Sequence, residues 1–123
     1  MNVYQRAYKA AINLHLYLNS KKCPVSPQNA EELRYLSRET LANIAEGFNQ
    51  RTPKSKRYLY FRALDSIHRL MMDLDFLVDI RMLPAKDSKS FHDEYEICAK
   101  QLFKLSQSVL NPDVEKTEAV VSK

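Results

Sequence analysis

Glycine is almost missing from this chain: Gly47 is the only one in 123 residues. All-β folds turn often and need glycine at their tight turns, so the scarcity argues for few turns and long helices. It also excludes a glycine-rich phosphate loop, which needs several residues without Cβ in one short stretch. Cysteine is nearly as scarce. Cys23 and Cys98 are too few and too ill-spaced for a disulfide framework or a zinc site, and they read as reduced thiols. No apolar run approaches the roughly 20 residues of a membrane span, and the N-terminus has no signal-peptide pattern. A cytoplasmic protein with no membrane partner is expected. The histidines His15, His68 and His92 fall on separate segments, and none sits in a His-x-x-x-His or Glu-x-x-His pair. Di-iron bundles are built on the second of these spacings, so neither a metal nor another cofactor is expected.

What is present is the composition of an ordinary globular domain, 45% hydrophobic and 28% charged. The length allows one domain with a real core and no second lobe. The net charge of +4 makes an anionic partner plausible without requiring one.

Apolar residues recur at helical spacing along four segments. Tyr4, Ala7, Tyr8, Ala11, Leu14 and Leu18 predict a first helix over about 2–21, and Ile12, Leu16 and Tyr17 add apolar surface beyond that stripe. Ser26-Pro27 reads as an N-cap with proline at the first helical position. The helix it opens, over about 27–48, carries Leu33, Leu36, Thr40, Leu41, Ile44 and Phe48 on its buried side. Gly47 is its natural left-handed C-cap. Thr52-Pro53 repeats the capping signal and opens the longest helix, over about 53–82. One of its faces carries Leu59, Ala63, Ile67, Leu70, Leu74, Leu77 and Ile80, and an adjacent one carries Tyr60, Leu64, Met71, Val78 and Met82. So wide a stripe exceeds what one set of bundle neighbours covers, which points to a further subunit. Pro84 closes this helix, and Asp87 or Ser88 caps the fourth, over about 88–110. There Phe91, Tyr95, Cys98, Leu102, Leu105 and Val109 form a heptad seam. Residues 112–123 are aperiodic and read as a flexible C-terminal tail. The expected fold is all-α, an antiparallel up-down-up-down four-helix bundle.

The segment Arg51–Arg62 is the candidate site. It holds Arg51, Lys54, Lys56, Arg57 and Arg62, interleaved with Tyr58, Tyr60 and Phe61, and contains no acid. A helix N-terminus carries about half a positive charge, so acids are preferred in a first turn. Cations crowd this one instead, a conflict that an external anion would relieve. A phosphate there would meet backbone N–H groups and side-chain donors together. Arg62 and Arg69 extend the line, with Arg34 and Arg38 reaching it from the preceding helix. The plainer reading is that these side chains are hydrated or paired with acids. Asn43 and Glu46 fall near the apolar face of the second helix and read as structural polar residues fixing the packing, rather than as catalytic groups.

At this junction stand Asn43-Ile44-Ala45-Glu46-Gly47, then Phe48-Asn49-Gln50-Arg51-Thr52, then Tyr58-Leu59-Tyr60-Phe61. The arrangement resembles the four-helix-bundle family encoded in intervening sequences of bacterial 23S ribosomal RNA genes. That family shows a helix ending in Asn-Ile-Ala-Glu-Gly, an Arg-Ser-containing connection and a Phe-Leu or Tyr-rich helix start. The resemblance covers the middle third of the chain. It implies a ring-like homopentamer of bundles without enzymatic activity. A related branch, the accessory variability proteins of diversity-generating retroelements, forms basic pentamers that bind nucleic acid and partner a reverse transcriptase.

Taken together, these readings give a non-enzymatic, oligomeric nucleic-acid-binding protein, RNA favoured over a defined DNA sequence. Arg51, Lys54, Lys56, Arg57 and Arg62 would meet phosphates, and Tyr58 would stack on a base. The alternative is a protein-interaction scaffold, an accessory subunit of a retroelement reverse transcriptase. A metal-binding bundle enzyme is the third and least supported reading.

Overall fold

A computed structural model describes residues 2–110; the tail expected over 112–123 lies outside them. The described chain is all-helical, with α1 Val3–Leu18, α2 Pro27–Phe48, α3 Pro53–Asp79 and α4 Ala85–Leu110. Together they form a four-helix bundle. α2 packs on α3, α3 on α4, and α1 on both α2 and α4, with no close backbone approach between α1 and α3 or between α2 and α4. The helices therefore stand at the corners of a square, with α1 diagonal to α3.

Local chemistry sets most of the boundaries. Asn2 and Gln5 close a reciprocal capping box at the start of α1. Ser26 caps α2 and Thr52 caps α3, each followed by proline, as the sequence predicts. α1 stops three residues short of expectation because Asn19 and Ser20 turn the chain, their N–H groups donating to the carbonyls of His15 and Tyr17. α4 starts three residues early, at Ala85. Asp87 therefore lies in its first turn, not ahead of it, and accepts a 2.9 Å hydrogen bond from the Tyr17 hydroxyl. α3 does not run on to Pro84. Arg81 adopts φ 63° just beyond Ile80, and the N–H groups of Arg81 and Met82 donate back to the carbonyls of Val78 and Leu77. That is a Schellman ending with arginine where glycine is usual.

The one glycine plays a different part from the one predicted. Gly47 is buried inside α2, and the helix ends beyond it at Asn49, in ordinary helical conformation. What excludes a side chain is Tyr60 on α3. A Cβ at position 47 would lie 2.5 Å from Tyr60 Cε1 and 2.8 Å from Cδ1. The Tyr60 ring, itself buried and edge-on to Phe48 at 6.0 Å, fills the space that a side chain would take.

Ala63, Ile67, Leu70 and Leu74 of α3 form the core axis, against Ile44 of α2 and Tyr95, Cys98 and Leu102 of α4. Thr40 and Ser106 are fully buried, their hydroxyls donating one turn back to Leu36 and Leu102 carbonyls. Burial pushes the Cys98 thiol up to about 12, consistent with an inert packing residue, and both cysteines are free. Several residues expected inside are exposed, namely Tyr8, Phe48 and Ile80; Ile12 and Leu16, the extra apolar surface of α1, are exposed as well. Glu46 is exposed too, while Asn43 is buried and donates to Glu39 at 3.4 Å. No described helix is long and apolar enough to cross a membrane.

His15 ties α1 to α2. The Ser37 hydroxyl donates to the Arg34 carbonyl at 2.8 Å, so His15 Nε2–H donates to Ser37 Oγ at 2.9 Å. Burial, and then the nearby charges of Arg38 and Arg34, hold its pKa below the usual 6.5.

Two outcomes are expected. Gly47→Ala gains about 1 kcal/mol of helix propensity but must displace a packed ring, at about 1–3 kcal/mol, so urea unfolding should show a net loss of stability. In the pH range just below 6.5 the unfolded chain binds the His15 proton more readily than the folded one. Stability should thus fall with acidification through that window. Melting temperatures from pH 7.5 to 5 should drop less in His15→Asn than in the parent.

Candidate nucleic-acid interface

The six predicted site residues lie at the corner where α2 ends and α3 begins, and the fold divides them. Lys54, Tyr58 and Arg62 recur every fourth residue and share one exposed line of α3. Arg57 lies off that line, with its guanidinium 5.1 Å from the Phe61 ring one turn on. Its Nε is buried with no hydrogen-bond partner. Arg51 is exposed in the connection. Lys56 faces inward, the direction shared by Tyr60 and Ala63.

Lys56 is the clearest departure from the sequence reading. Its Nζ donates to the carbonyls of Phe48 at 3.0 Å and Gly47 at 3.3 Å, the last exposed acceptors of α2. A cation at a helix C-terminus is favourable. The charge conflict at the start of α3 is therefore relieved, for this residue, by the end of α2. Lys56 thus caps the end of α2.

The α3 mouth is also less open than the sequence implies. Pro53 has no N–H, and the Ser55 N–H is taken by Thr52 Oγ1 at 3.2 Å. The Lys56 N–H goes to the Thr52 carbonyl, which leaves the Lys54 N–H as the first-turn donor open to an anion.

Arg62 is half committed. Its Nη2 lies 3.6 Å from Glu39 Oε1 of α2, and its Nη1 donates to the Tyr58 hydroxyl at 3.3 Å. The guanidinium also sits 5.8 Å from the Tyr58 ring centroid. Asn43, Glu39, Arg62 and Tyr58 thus form a polar chain across the α2–α3 groove, a hollow of ≈ 480 Å³. Its effect is to hold the Tyr58 ring, 60% exposed, in one orientation. Tyr35, 51% exposed, lines the same groove and was not singled out from sequence, since nothing local brings it beside Tyr58.

The expected extension of the basic line closes on itself. Arg34 and Arg38 reach Glu31 at 3.4 and 3.9 Å, and Arg69 reaches Glu32 at 3.8 Å. Pairs this exposed contribute little stability, yet they cancel the local field. Among the described residues, Arg51, Lys54 and Arg57 have no carboxylate partner.

A donor cluster that the sequence reading passed over lies elsewhere. His92, Asp93 and Glu96 of α4 place one ligand atom each within 4.8 Å of one another. The spacing is His-x-x-x-Glu, which a search for paired histidines does not find. All three are engaged already, Asp93 with Lys89 at 2.7 Å, His92 with Asp75 at 3.6 Å and Glu96 with Lys100 at 3.6 Å.

No family model matches the chain, and no curated protein matches it. Among solved structures, the chain is similar to a protein of unknown function from the S23 ribosomal protein family of Bacteroides thetaiotaomicron, with a TM-score of 0.76 and 16% identity. The match covers 85% of this chain and 95% of that one. At that identity the likeness speaks for the four-helix fold.

Replacing Lys56 by Met should lower stability by about 1 kcal/mol, because the last carbonyls of α2 lose a charged donor. Lys54→Met, at an exposed and unpaired position, should stay within about 0.5 kcal/mol of the parent in the same denaturation experiment.

Proposed function

We propose that this protein is a non-enzymatic, homo-oligomeric nucleic-acid-binding bundle that holds RNA at the α2–α3 corner. The observation that carries the reading is the set of three cations left over once the internal pairs are made. Arg51, Lys54 and Arg57 stand without carboxylate partners at this corner, Lys54 on the same exposed line as a tyrosine ring that Arg62 and Glu39 keep exposed and oriented. Three phosphate contacts and one stacking surface form a weak site in a single copy, with no base-reading pattern. A cyclic homo-oligomer, a pentamer in the family the junction resembles, would repeat the site and raise avidity. Flexible single strands suit such a site better than a rigid duplex, because a splayed base can reach Tyr58.

The same reading takes the bundle as antiparallel and up-down-up-down. Support comes from pairs that run in opposite order along neighbouring helices: Arg6 with Glu94 and Tyr17 with Asp87, Asn19 with Arg34, Arg62 with Glu39 and Arg69 with Glu32. The likeness to a protein of the S23 ribosomal protein family supports kinship with that group. A cytoplasmic location fits an RNA ligand.

A second reading, a scaffold that docks a retroelement reverse transcriptase, draws on the apolar groove of ≈ 600 Å³ between α3 and α4. Phe61, Leu64, Met71 and Phe103 line it. Binding there would survive high salt, whereas phosphate binding would not.

Affinity for a single-stranded RNA oligomer, measured against salt, separates the two. Each phosphate contact contributes about 0.7 to the slope of log K against log salt on single strands. Replacing Arg51, Lys54 and Arg57 together by Gln should flatten that slope by about 2 per bound subunit, and Tyr58→Ala should cost about 1–3 kcal/mol of stacking. A slope unchanged by the triple substitution would refute the reading.

A further inference from the structure

Two apolar ridges remain uncovered on the bundle, and they lie on diagonal helices. On α1, Tyr8, Ile12 and Leu16 are 51%, 45% and 64% exposed. On the second half of α3, Met72, Phe76 and Ile80 are 59%, 61% and 44% exposed. Each set steps by four residues, so each is a ridge about 12 Å long at 1.5 Å per residue. Scattered exposed apolar residues need no explanation, but matched ridges on opposite sides of one domain do.

The charges along the two ridges are opposite in sign, with exposed Arg81 just beyond Ile80 as the exception. α1 contains no acid; Lys9 lies beside its ridge, and Lys21 and Lys22 follow its end, all exposed and without carboxylate partners among the described residues. Arg6 is spent on Glu94. Between Leu70 and Ile80, α3 contains no base and carries Asp73, Asp75 and Asp79, the last two exposed. Asp75 also approaches His92 of α4, and Asp73, half-buried, has its pKa raised by burial against the pull of Arg69.

We infer that the α1 ridge of one copy docks on the α3 ridge of the next, so that the chain assembles head to tail through two different faces. The inference deepens the homo-oligomer reading above by naming the contact that reading needs. A second copy fits better than a foreign partner because both halves of a complementary pair are on the same molecule. Such a contact is heterologous: each copy keeps one face unused until a ring closes or a filament grows. Ridges built on i, i+4 rows interlock with axes inclined by about −50°, so successive copies are rotated relative to one another. The α2–α3 corner stays outside the contact, at the opposite end of α3.

Light scattering on purified protein tests this with Leu16→Asp, which spoils one face, and Phe76→Asp, which spoils the other. Both positions are on the surface, and circular dichroism checks that the variants remain folded; Ile12→Lys and Met72→Asp serve as a second pair. The parent should be an oligomer and each variant a monomer. An equimolar mixture of the two variants should form a one-to-one dimer, because each retains the half that the other lacks. If Phe76→Asp alone keeps the parent's mass, if Leu16→Asp alone keeps it, or if the mixture stays monomeric, the head-to-tail contact is wrong while the oligomer stands. A monomeric parent would overturn both this inference and the oligomer reading.

Discussion

The close approach of α2 and α3 at Gly47 governs this molecule's functional corner. A tyrosine ring on one helix occupies the volume of a missing side chain on the other, so it lies closer to the α2 backbone than any residue with a Cβ at position 47 would allow. Tyr60 is buried by that contact and fixes the rotation of α3 about its axis. Once the rotation is fixed, the fate of its neighbours follows from helical geometry alone. Lys56, one turn earlier on the same face, must lie over the end of α2, where it finds the Gly47 and Phe48 carbonyls. Tyr58, two residues away, must face water. The corner therefore has an inside made of Tyr60 and Lys56 and an outside made of Lys54, Tyr58 and Arg62.

The amino-acid pattern made the helices legible, because burial stripes and Ser-Pro or Thr-Pro caps are local signals. It did not reveal what depends on a second helix. Gly47 looked like a terminator because glycine most often stops a helix; its packing role exists only once Tyr60 is placed against it. Arg81 takes the left-handed position that a reader looks for in glycine, so the end of α3 was drawn too late. The candidate site was legible as a set of residue types and not as a set of directions. Sequence could say that five cations crowd one helix start. It could not say that one caps α2 and that another meets Glu39, since both partners belong to a different helix. The exposed ridge on α1 reads from sequence only as extra apolar surface, because nothing local distinguishes a covered leucine from Leu16 in the open.

The distribution of charge joins the two ends of α3 in one argument. The bases of α2, with Arg62 and Arg69 of α3, are matched by Glu31, Glu32 and Glu39. Among the described residues, unmatched bases gather at the start of α3 and along α1, and acids gather toward the end of α3. Charge left over inside one folded chain is charge available between chains. Two of these three surplus regions, α1 and the end of α3, also carry exposed apolar ridges. The third, at the start of α3, carries a single held aromatic ring instead. Apolar ridges with opposite charges suit a protein surface, because burial drives the contact and charge selects its register. Unpaired cations around one aromatic ring suit a flexible polyanion, because phosphates and a base are what those groups can engage. Assembly through the first two regions would leave the third uncovered on every copy. On the reading proposed above, a weak cationic site would be repeated by a directional contact elsewhere in the molecule, and such binding requires no catalytic group.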